Sequence, residues 1–334
     1  MIKEVTLLEL VQDDLLKVEQ KMRSIGAGAY APLAEAFLQL LASGGKRLRP
    51  ALALGAHGLF ADRVPEKVIA MAAAVEMLHN ATLVHDDLID NALVRRGVTT
   101  LNAVWNKGAT VLAGDYLFAR AAGFAAETEN IRVVQLFAET LRTIVDGELR
   151  QLFSSREWSQ PKDAYYPRIF AKTASLFAAA TRSGAMLADA TSEQEQALDD
   201  YGKHLGMAFQ IVDDILDYEG NEATLGKPVG GDLRQGIVTL PFFYFLQGHP
   251  HPERVIELLT QGSNGSTADA GAAAAGAAIA DVIAQVRASD AMAQSAAEAR
   301  EFAERAKRDL ALFPDNVYRR ALTNLADFVV SRHV

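Results

Sequence analysis

The sequence predicts an all-α fold, a single domain over residues 1–334 built as a bundle of about ten or more long helices. Apolar residues recur at three-to-four spacing almost everywhere, whereas the alternation typical of strands is rare. Half of the residues are hydrophobic, and alanine and leucine outnumber the β-branched and aromatic types, which favours helix over sheet. The connections between the periodic segments are short, as they are in helical bundles.

The predicted helices follow one another with few breaks. The first covers residues 4–25, where charged residues recur every few positions and make it amphipathic. The same apolar spacing then defines helices at residues 31–43, 50–61, 65–93, 109–126, 130–156, 162–190, 193–219, 238–247, 252–260, 279–311 and 316–332.

Three interruptions separate these helices. GGKRLRP, residues 44–50, combines a helix-ending glycine pair, three cations and a proline. EGNEATLGKPVGGDLRQG, residues 219–236, is the longest loop, and loops of that length are usually functional or disordered. Residues 262–278 are rich in small residues and low in complexity, so we interpret them as a mobile surface connection without a catalytic role.

The bulk properties exclude several classes of function. A net charge of −9 argues against a general nucleic-acid partner, and the absence of cysteine excludes disulfides and zinc–thiolate sites. The first residues do not form a signal peptide, and no run approaches the roughly 18 uncharged apolar residues of a membrane span. We therefore expect a soluble, cytoplasmic protein with no transmembrane segment, for which peripheral membrane contact stays open.

Two apolar helical segments contain aspartates in nearly the same pattern, LVHDDLID at residues 83–90 and QIVDDILD at residues 210–217. Each residue advances about 100° around a helix, so positions i and i+4 share a face. The first and third aspartates of each set are therefore stacked one turn apart, with the second beside them. The two sets are Asp86, Asp87 and Asp90, and Asp213, Asp214 and Asp217.

Clustered carboxylates in apolar surroundings repel one another and are costly to desolvate unless cations share the site. Mg²⁺ meets this requirement, because it takes hard oxygen ligands and usually binds a few carboxylates together with substrate phosphates. A single set of this kind is more often a solvated or salt-bridged helix face. Two matching copies favour a metal site in which a polyphosphate bridges the ions.

A diphosphate site needs positive charge beyond its metals, and the planar fork of arginine matches phosphate oxygens. Basic residues flank the aspartates at helix ends and in loops, at Lys46, Arg47, Arg49, Arg95, Arg96, Lys172 and Lys227. Each one alone is more often a solvated surface residue. For His79, two helical turns before Asp86, a core role and a phosphate-binding role have equal weight. The sequence contains no nucleophile triad signal, P-loop or dinucleotide fingerprint.

Together these segments resemble the trans-isoprenyl diphosphate synthases of the polyprenyl synthetase family, and most of all the long-chain heptaprenyl and octaprenyl type. GGKRLRP, LVHDDLIDNALVRRG, KTASLF, FQIVDDILDY and GKPVGGDLRQGIVTLP occur in the family's order and spacing, over nearly the whole chain. The resemblance implies long helices around a central cavity, the isoprenoid synthase type of fold, with the two aspartate sets facing each other at its mouth.

The resemblance also implies roles for individual residues. The six aspartates would bind Mg²⁺, with three ions in the substrate complex, and would form the catalytic set together with Lys172. The allylic diphosphate would be bound by Arg95, Lys172, Gln210 and Lys227, with Thr173 as a further substrate-binding residue. Isopentenyl diphosphate would be bound by Lys46, Arg49, His79 and Arg96.

The implied enzyme is a Mg-dependent prenyltransferase. It would elongate an allylic primer, farnesyl or geranylgeranyl diphosphate, by successive head-to-tail condensation with isopentenyl diphosphate to a long-chain all-trans product. Metals and cations draw off the diphosphate leaving group, the double bond of isopentenyl diphosphate attacks the allylic cation, and a proton is lost. This chemistry needs no protein nucleophile, but it needs an apolar cavity that excludes water.

One position departs from the pattern of short-chain relatives, which commonly have a lysine where this chain has Ile237. One expected phosphate contact is therefore missing. The sequence around it, GGDLRQGIVTLP, resembles the heptaprenyl branch, whose members often work as the catalytic half of a heterodimer. We expect a homodimer, with a heterodimer that includes a small subunit as the alternative.

Ala81 and Thr82 lie about one helical turn before Asp86, where a growing prenyl chain should pass. Short-chain enzymes often have aromatic residues there, so the small side chains predict a long product. A deeper residue must form the floor of the tunnel, and the candidates are Leu117, Phe118 and Phe124. The alternative for Ala81 is ordinary close packing between helices.

Three rival functions stay open. The first is a shorter-chain, geranylgeranyl-type synthase. A class I terpene cyclase would not need the second diphosphate site that GGKRLRP and RRG suggest. A non-catalytic regulatory subunit with the same fold should have lost aspartates from one or both sets, whereas this chain has all six.

Overall fold

The computed structural model describes residues 5–24, 30–42, 44–95, 97–219, 229–264 and 269–332, without the side chains of residues 261–275. Its helices, numbered in chain order, are α1 Leu7–Leu10, α2 Gln12–Arg23, α3 Ala31–Ala42, α4 Leu48–Gly58, α5 Glu66–Ile89, α6 Leu101–Val104, α7 Lys107–Ala126, α8 Ile131–Phe153, α9 Tyr165–Ile169, α10 Ser175–Met186, α11 Ser192–Glu219, α12 Gly231–Gln235, α13 Leu240–Gly248, α14 Pro252–Asn264, α15 Asp269–Ala288, α16 Ala291–Asp309 and α17 Val317–Val330. Short 3₁₀ turns cover Lys162–Ala164 and Leu310–Leu312, and a π turn covers Phe170–Ala174. The all-α prediction is confirmed.

The structure differs from the predicted helices at particular points. The long helix predicted up to residue 93 ends at Ile89, because Asn91 adopts a left-handed backbone with φ of 50°. A two-stranded antiparallel hairpin follows, with β1 at Val94–Arg95 and β2 at Val98–Thr99. The helix predicted at 162–190 is divided into α9, the π turn and α10. Pro167 lies in the first turn of α9, where its missing N–H costs nothing.

The low-complexity segment predicted at 262–278 contains regular structure where it is described. Helix α14 continues to Asn264, and α15 begins at Asp269. Alanine has the highest helix propensity of all residues, so an alanine-rich segment of this kind favours helix once it is flanked by helices. Residues 265–268 lie outside the described residues, and the mobility of this segment stays a prediction.

The chain divides into two compact units. The first comprises Met1–Arg142, Leu176–Gly202 and Lys307–Leu325, and the second comprises Thr143–Ser175, Lys203–Ala306 and Ala326–Val334. The prediction of one domain over the whole chain is not tested by this division and stays a prediction.

The first unit is organised around α5. This helix is buried without interruption from Val68 to Leu78 and packs against α7, α4 and α2, as a core helix does. It is also the one described helix that is long and apolar enough to cross a membrane. However, 78% of its apolar 18-residue stretch is buried inside the protein. The burial favours a core helix.

The second unit has a core rich in aromatic residues, drawn from α9, the C-terminal part of α11, α13, α15 and α16. Tyr165, Tyr218 and Phe242 are fully buried in it, and Val238 and Leu240 complete its centre. Aromatic rings supply a large buried area per residue, which fixes the short α9 and the π turn that follows it.

Candidate active site

The first aspartate set lies at the C-terminal end of α5, in the first unit. Asp86 and Asp87 are in the last turn of the helix, and Asp90 is its C-cap and is exposed. The C-terminal end of a helix has partial negative charge, so three carboxylates there are unfavourable unless cations approach them. The backbone bond from the Asp90 N–H to the Asp86 carbonyl, 2.8 Å long, places these two residues one helical turn apart.

Two residues predicted to bind different groups contact each other in this unit. Asp87 is buried, and its Oδ1 accepts a hydrogen bond of 2.7 Å from Nε of Arg95. Arg95 is fixed by the hairpin, in which it pairs with Val98 across the strands. Arg96, the other arginine of the predicted pair, lies outside the described residues.

The helix α7 approaches this end of α5 very closely. A side chain at Gly114 would collide with the ring of His85, whose Nε2 lies 3.1 Å from the Val111 carbonyl. The His85 ring also packs on Phe118, with ring centroids 5.2 Å apart. Glycine at position 114 is therefore what allows α7 to lie against the aspartate-bearing turn.

The predicted chain-length residues lie along the same pair of helices. Ala81 is fully buried on α5, and the hydroxyl of the half-buried Thr82 donates to the His79 carbonyl over 2.8 Å. Leu117 and Phe124 are buried on α7. The structure therefore places the predicted wall and floor residues on two packed helices, and their role in chain length stays a prediction.

The residues predicted to bind isopentenyl diphosphate lie in the first unit as well. Lys46 is exposed in the GGKRLRP segment, and Arg49 lies in the first turn of α4 with its guanidinium 5.1 Å from the Phe177 ring. His79 is partly exposed on α5, whereas its neighbours Leu78 and Asn80 are buried.

The second aspartate set lies in the last turns of α11, in the second unit, and its middle member has a very different environment from Asp87. Asp214 is only 3% exposed, and its carboxylate accepts 2.7 Å hydrogen bonds from the Tyr165 hydroxyl and from Nε2 of Gln210. Burial raises the pKa of Asp214 to about 6, against the lowering effect of these two bonds. Burial and the facing carboxylate raise the pKa of Tyr165 well above its ordinary value, so its hydroxyl stays a donor.

The outer aspartates of this set have different partners. Asp217 accepts the backbone N–H groups of Gly231 and Asp232, at 3.0 and 3.1 Å. It thus binds the N-terminal end of α12, where a negative charge is favourable. Asp213 forms an ion pair of 3.1 Å with Arg332, just beyond α17.

The KTASLF segment begins in the π turn Phe170–Ala174, and such turns are frequent at functional sites. The hydroxyl of Thr173 donates to Oε1 of Gln210 over 2.6 Å, and Gln210 in turn donates to Asp214. Lys172 is partly exposed and lies 3.5 Å from Glu148. The structure thus brings Thr173, Gln210 and Asp214 together in one chain of hydrogen bonds. Lys227 lies outside the described residues.

Sequence reasoning missed three residues of this region. Arg168 is mostly buried and donates to the Val238 carbonyl and to Gln160, and its charge lowers the pKa of Asp214. Asp232 is an additional carboxylate, and burial followed by the charges of Asp217 and Asp214 raises its pKa. Arg332 was missed because nothing in the sequence connects it with Asp213. Asp232 could have been found from the sequence, because it lies in the glycine-rich GGDLRQG segment.

The donor chemistry of the aspartates fits a divalent cation. Within the described residues, no three acidic or histidine side chains lie close enough together to hold a metal ion by themselves. Mg²⁺ commonly takes only one or two carboxylates and completes its octahedron with water and substrate phosphate. Several of the carboxylates at these two helix C-termini are exposed or partly exposed, which suits that kind of binding better than a cage made of protein ligands alone.

An all-α chain with two aspartate sets at helix ends and several nearby cations has the features of a metal-assisted enzyme that acts on diphosphates. Residues 31–275 match the polyprenyl synthetase family model. The chain is 39% identical to heptaprenyl diphosphate synthase component 2 of Geobacillus stearothermophilus, over 96% of this chain and 97% of that protein. It is 36% identical to nonaprenyl diphosphate synthase of Mycobacterium tuberculosis, over 97% and 93%.

Solved structures agree with the sequence comparison. A polyprenyl synthase from Caulobacter crescentus, complexed with calcium and isoprenyl diphosphate, superposes with a TM-score of 0.88 at 36% identity, over 98% of this chain and 97% of that one. The chain belongs to the polyprenyl synthetase family, and it is a prenyltransferase. Enzymes of this family use a divalent metal.

Proposed function

We propose that this chain elongates farnesyl or geranylgeranyl diphosphate with isopentenyl diphosphate, unit by unit, to a long all-trans polyprenyl diphosphate. One observation carries the proposal: two aspartate sets with the same spacing end two different helices, in a chain that matches long-chain synthases over nearly its whole length. The named products of those relatives differ in length, so the number of isoprene units in this product is a separate question for experiment.

The chain's own residues supply binding, orientation and exclusion of water. In the reaction, the allylic C–O bond breaks, the double bond of isopentenyl diphosphate forms a new bond to that carbon, and C2 of the former isopentenyl unit loses a proton. Lys172 and Arg95 would bind the departing diphosphate as cations. Gln210 and Thr173, held by Asp214, would present oxygen dipoles to the positive charge that develops.

Mg²⁺, as three ions in the substrate complex, would be bound by the aspartates at the ends of α5 and α11. When bound, it would neutralise the diphosphate and so favour cleavage of the C–O bond. All six aspartates are the proposed ligands, and Asp87, Asp213, Asp214 and Asp217 also have donors from the protein in the structure. We place the protein in the cytoplasm, as a homodimer or as the catalytic partner of a small subunit.

The test uses the purified chain alone, with Mg²⁺, farnesyl diphosphate and labelled isopentenyl diphosphate, and the extracted products are sized. A ladder that ends at one long product supports the proposal and shows that no partner is needed. A single-addition product indicates the geranylgeranyl-type synthase, and a hydrocarbon without label indicates a cyclase. If folded protein gives no product, the assay is repeated with host extract, and restored activity indicates a missing subunit.

A further inference from the structure

Arg47 lies between Lys46 and Arg49, the two predicted diphosphate-binding residues of the GGKRLRP segment, and its guanidinium donates to three other parts of the first unit. Nη1 donates to Oε1 of Glu76 over 3.0 Å, Nη2 donates to the Leu41 carbonyl over 2.8 Å, and Nε donates to Oε1 of Glu19 over 3.2 Å. The Arg47 side chain is only 10% exposed. One guanidinium therefore connects the GGKRLRP segment with α2, the end of α3 and α5.

The backbone of Arg47 has an unusual conformation. Its φ of 47° and ψ of 36° are left-handed, and it stands directly before the first residue of α4. A residue with a side chain adopts this region only at an energetic cost, and such positions persist when the surrounding structure over-determines them. Three hydrogen bonds to three different elements do so here. The bonds hold the turn that places Lys46 before the helix and Arg49 within its first turn.

Glu76 is the most informative of the three partners. Its side chain is only 6% exposed, so its charge requires a buried partner, and Arg47 supplies one. Glu76 lies on α5 three residues before His79, and residues with this spacing share one side of a helix. The ion pair therefore joins the turn that carries Lys46 and Arg49 to the part of α5 that carries His79.

We infer that Arg47 is a positioning residue for isopentenyl diphosphate: it fixes Lys46 and Arg49 relative to His79 without contacting the substrate. This inference rests on the proposed function, in which those three residues bind that diphosphate. Arginine is required because its planar fork can reach three acceptors in different directions, whereas the ammonium of lysine is a single point donor on a flexible stem.

The experiment compares the wild type with Arg47→Gln and Arg47→Lys. Steady-state kinetics give kcat and separate KM values for isopentenyl and farnesyl diphosphate, and calorimetry gives the affinity of isopentenyl diphosphate without turnover. We expect Arg47→Gln to raise the KM and the Kd for isopentenyl diphosphate on the order of tenfold, with the KM for farnesyl diphosphate within about twofold. Arg47→Lys should fall between Arg47→Gln and the wild type.

A second ion pair of the first unit provides the matched control. Arg132 donates to both carboxylate oxygens of the buried Glu195, at 3.0 and 2.6 Å, and it has no part in the proposed substrate site. Arg132→Gln should lower the Tm but leave both KM values unchanged. If Arg47→Gln behaves like Arg132→Gln, Arg47 has only a structural role and the inference is wrong.

Glu76→Gln and the double variant Arg47→Gln/Glu76→Gln separate geometry from charge. If Arg47 acts by fixing the turn, the double variant regains Tm but keeps the raised KM for isopentenyl diphosphate. Full recovery of that KM would show that Arg47 only neutralises Glu76, and would overturn the inference. If Arg47→Gln does not fold, the KM for isopentenyl diphosphate is measured for Glu76→Gln instead. A raised KM supports the inference, and an unchanged KM overturns it. A wild type that incorporates no isopentenyl diphosphate, even with host extract, refutes the proposed function instead.

Discussion

The two aspartate sets have almost the same sequence but different surroundings. In the first set, Asp90 is exposed at the end of α5, and Asp87 accepts a hydrogen bond from the partly exposed Arg95. In the second set, Asp214 is embedded in a bonded chain with Tyr165 and Gln210. Two sets with the same spacing thus differ in environment: the first reaches solvent at Asp90, and the second is anchored in the core of its unit through Asp214.

This difference suggests a division of labour between the two sets. A carboxylate near solvent can rearrange to bind an incoming metal–diphosphate complex, whereas a buried carboxylate with two donors has little freedom to do so. Both sets nevertheless lie at helix C-termini, where the helix dipole disfavours negative charge and favours cations. We therefore expect the first aspartates of the two sets, Asp86 and Asp213, to act alike, and the middle ones to act differently.

The largest effect is expected where the two sets act alike. Asp86→Ala and Asp213→Ala should each reduce kcat by roughly a hundred- to a thousandfold, because each removes a group that stabilises charge during C–O cleavage. Circular dichroism should show unchanged helicity. Asp62→Ala and Asp163→Ala, exposed in the first and second unit, are the controls and should keep full activity. Near-wild-type turnover in either test variant would remove that set from the mechanism.

The length of the product tests only the surroundings of the first aspartate set, on α5. Ala81→Phe should shorten the product, because an aromatic ring one turn before Asp86 would block the path of the growing chain. Since Ala81 is fully buried, the larger side chain should also cost about 1–3 kcal/mol of stability through overpacking. Chromatography of the dephosphorylated products measures the change, with Ala81→Ser as the control that keeps a small side chain. An unchanged distribution from folded protein would contradict the tunnel assignment.

The sequence predicted what depends on spacing and failed where distant segments meet. Helical periodicity located α5 and α11 and put Asp86 and Asp90 on one face. The same pattern gave no sign that Asp214 is buried while Asp90 is exposed, because burial depends on Tyr165 and on packing elsewhere. Arg332 bonds to the carbonyl of Phe209, 123 positions earlier, and no local pattern predicts that contact.

The middle aspartates provide the direct test of the comparison. Asp214→Asn should lower the free energy of unfolding by about 1–3 kcal/mol, because its new amide would face the donor of Gln210 or lose the bond from Tyr165. Asp87→Asn weakens an ion pair whose Arg95 side chain is 32% exposed and therefore screened by water, so it should cost less. Urea unfolding monitored by circular dichroism, without metal or substrate, measures both variants. Equal losses would show that the two environments do not differ in energy.

The smallest effect is expected at Glu298, which accepts hydrogen bonds from residues in and just before α9. The Tyr166 hydroxyl donates to Oε1 of Glu298 over 2.6 Å, and Lys162 donates to Oε2 over 3.0 Å. Burial opposes ionisation of Glu298, but the bonds from Tyr166, Tyr244 and Lys162 outweigh it and lower the pKa of Glu298 below its ordinary value of 4.5. Because α9 also carries Tyr165, these bonds support the second aspartate set and leave the first untouched.

A lowered pKa means that the ionised form of Glu298 stabilises the fold. This contribution is complete above the ordinary pKa and is lost as the pH falls through the lowered one. Glu298→Gln should therefore reduce stability by about 1 kcal/mol at neutral pH, and the difference from the wild type should disappear in acid. Glu301→Gln, which changes an exposed i,i+4 pair with Arg305, should have almost no effect at any pH. If the loss for Glu298→Gln stays the same from neutral to acid pH, the charge of Glu298 does not stabilise α9, and the second set depends on Tyr165 and Gln210 alone.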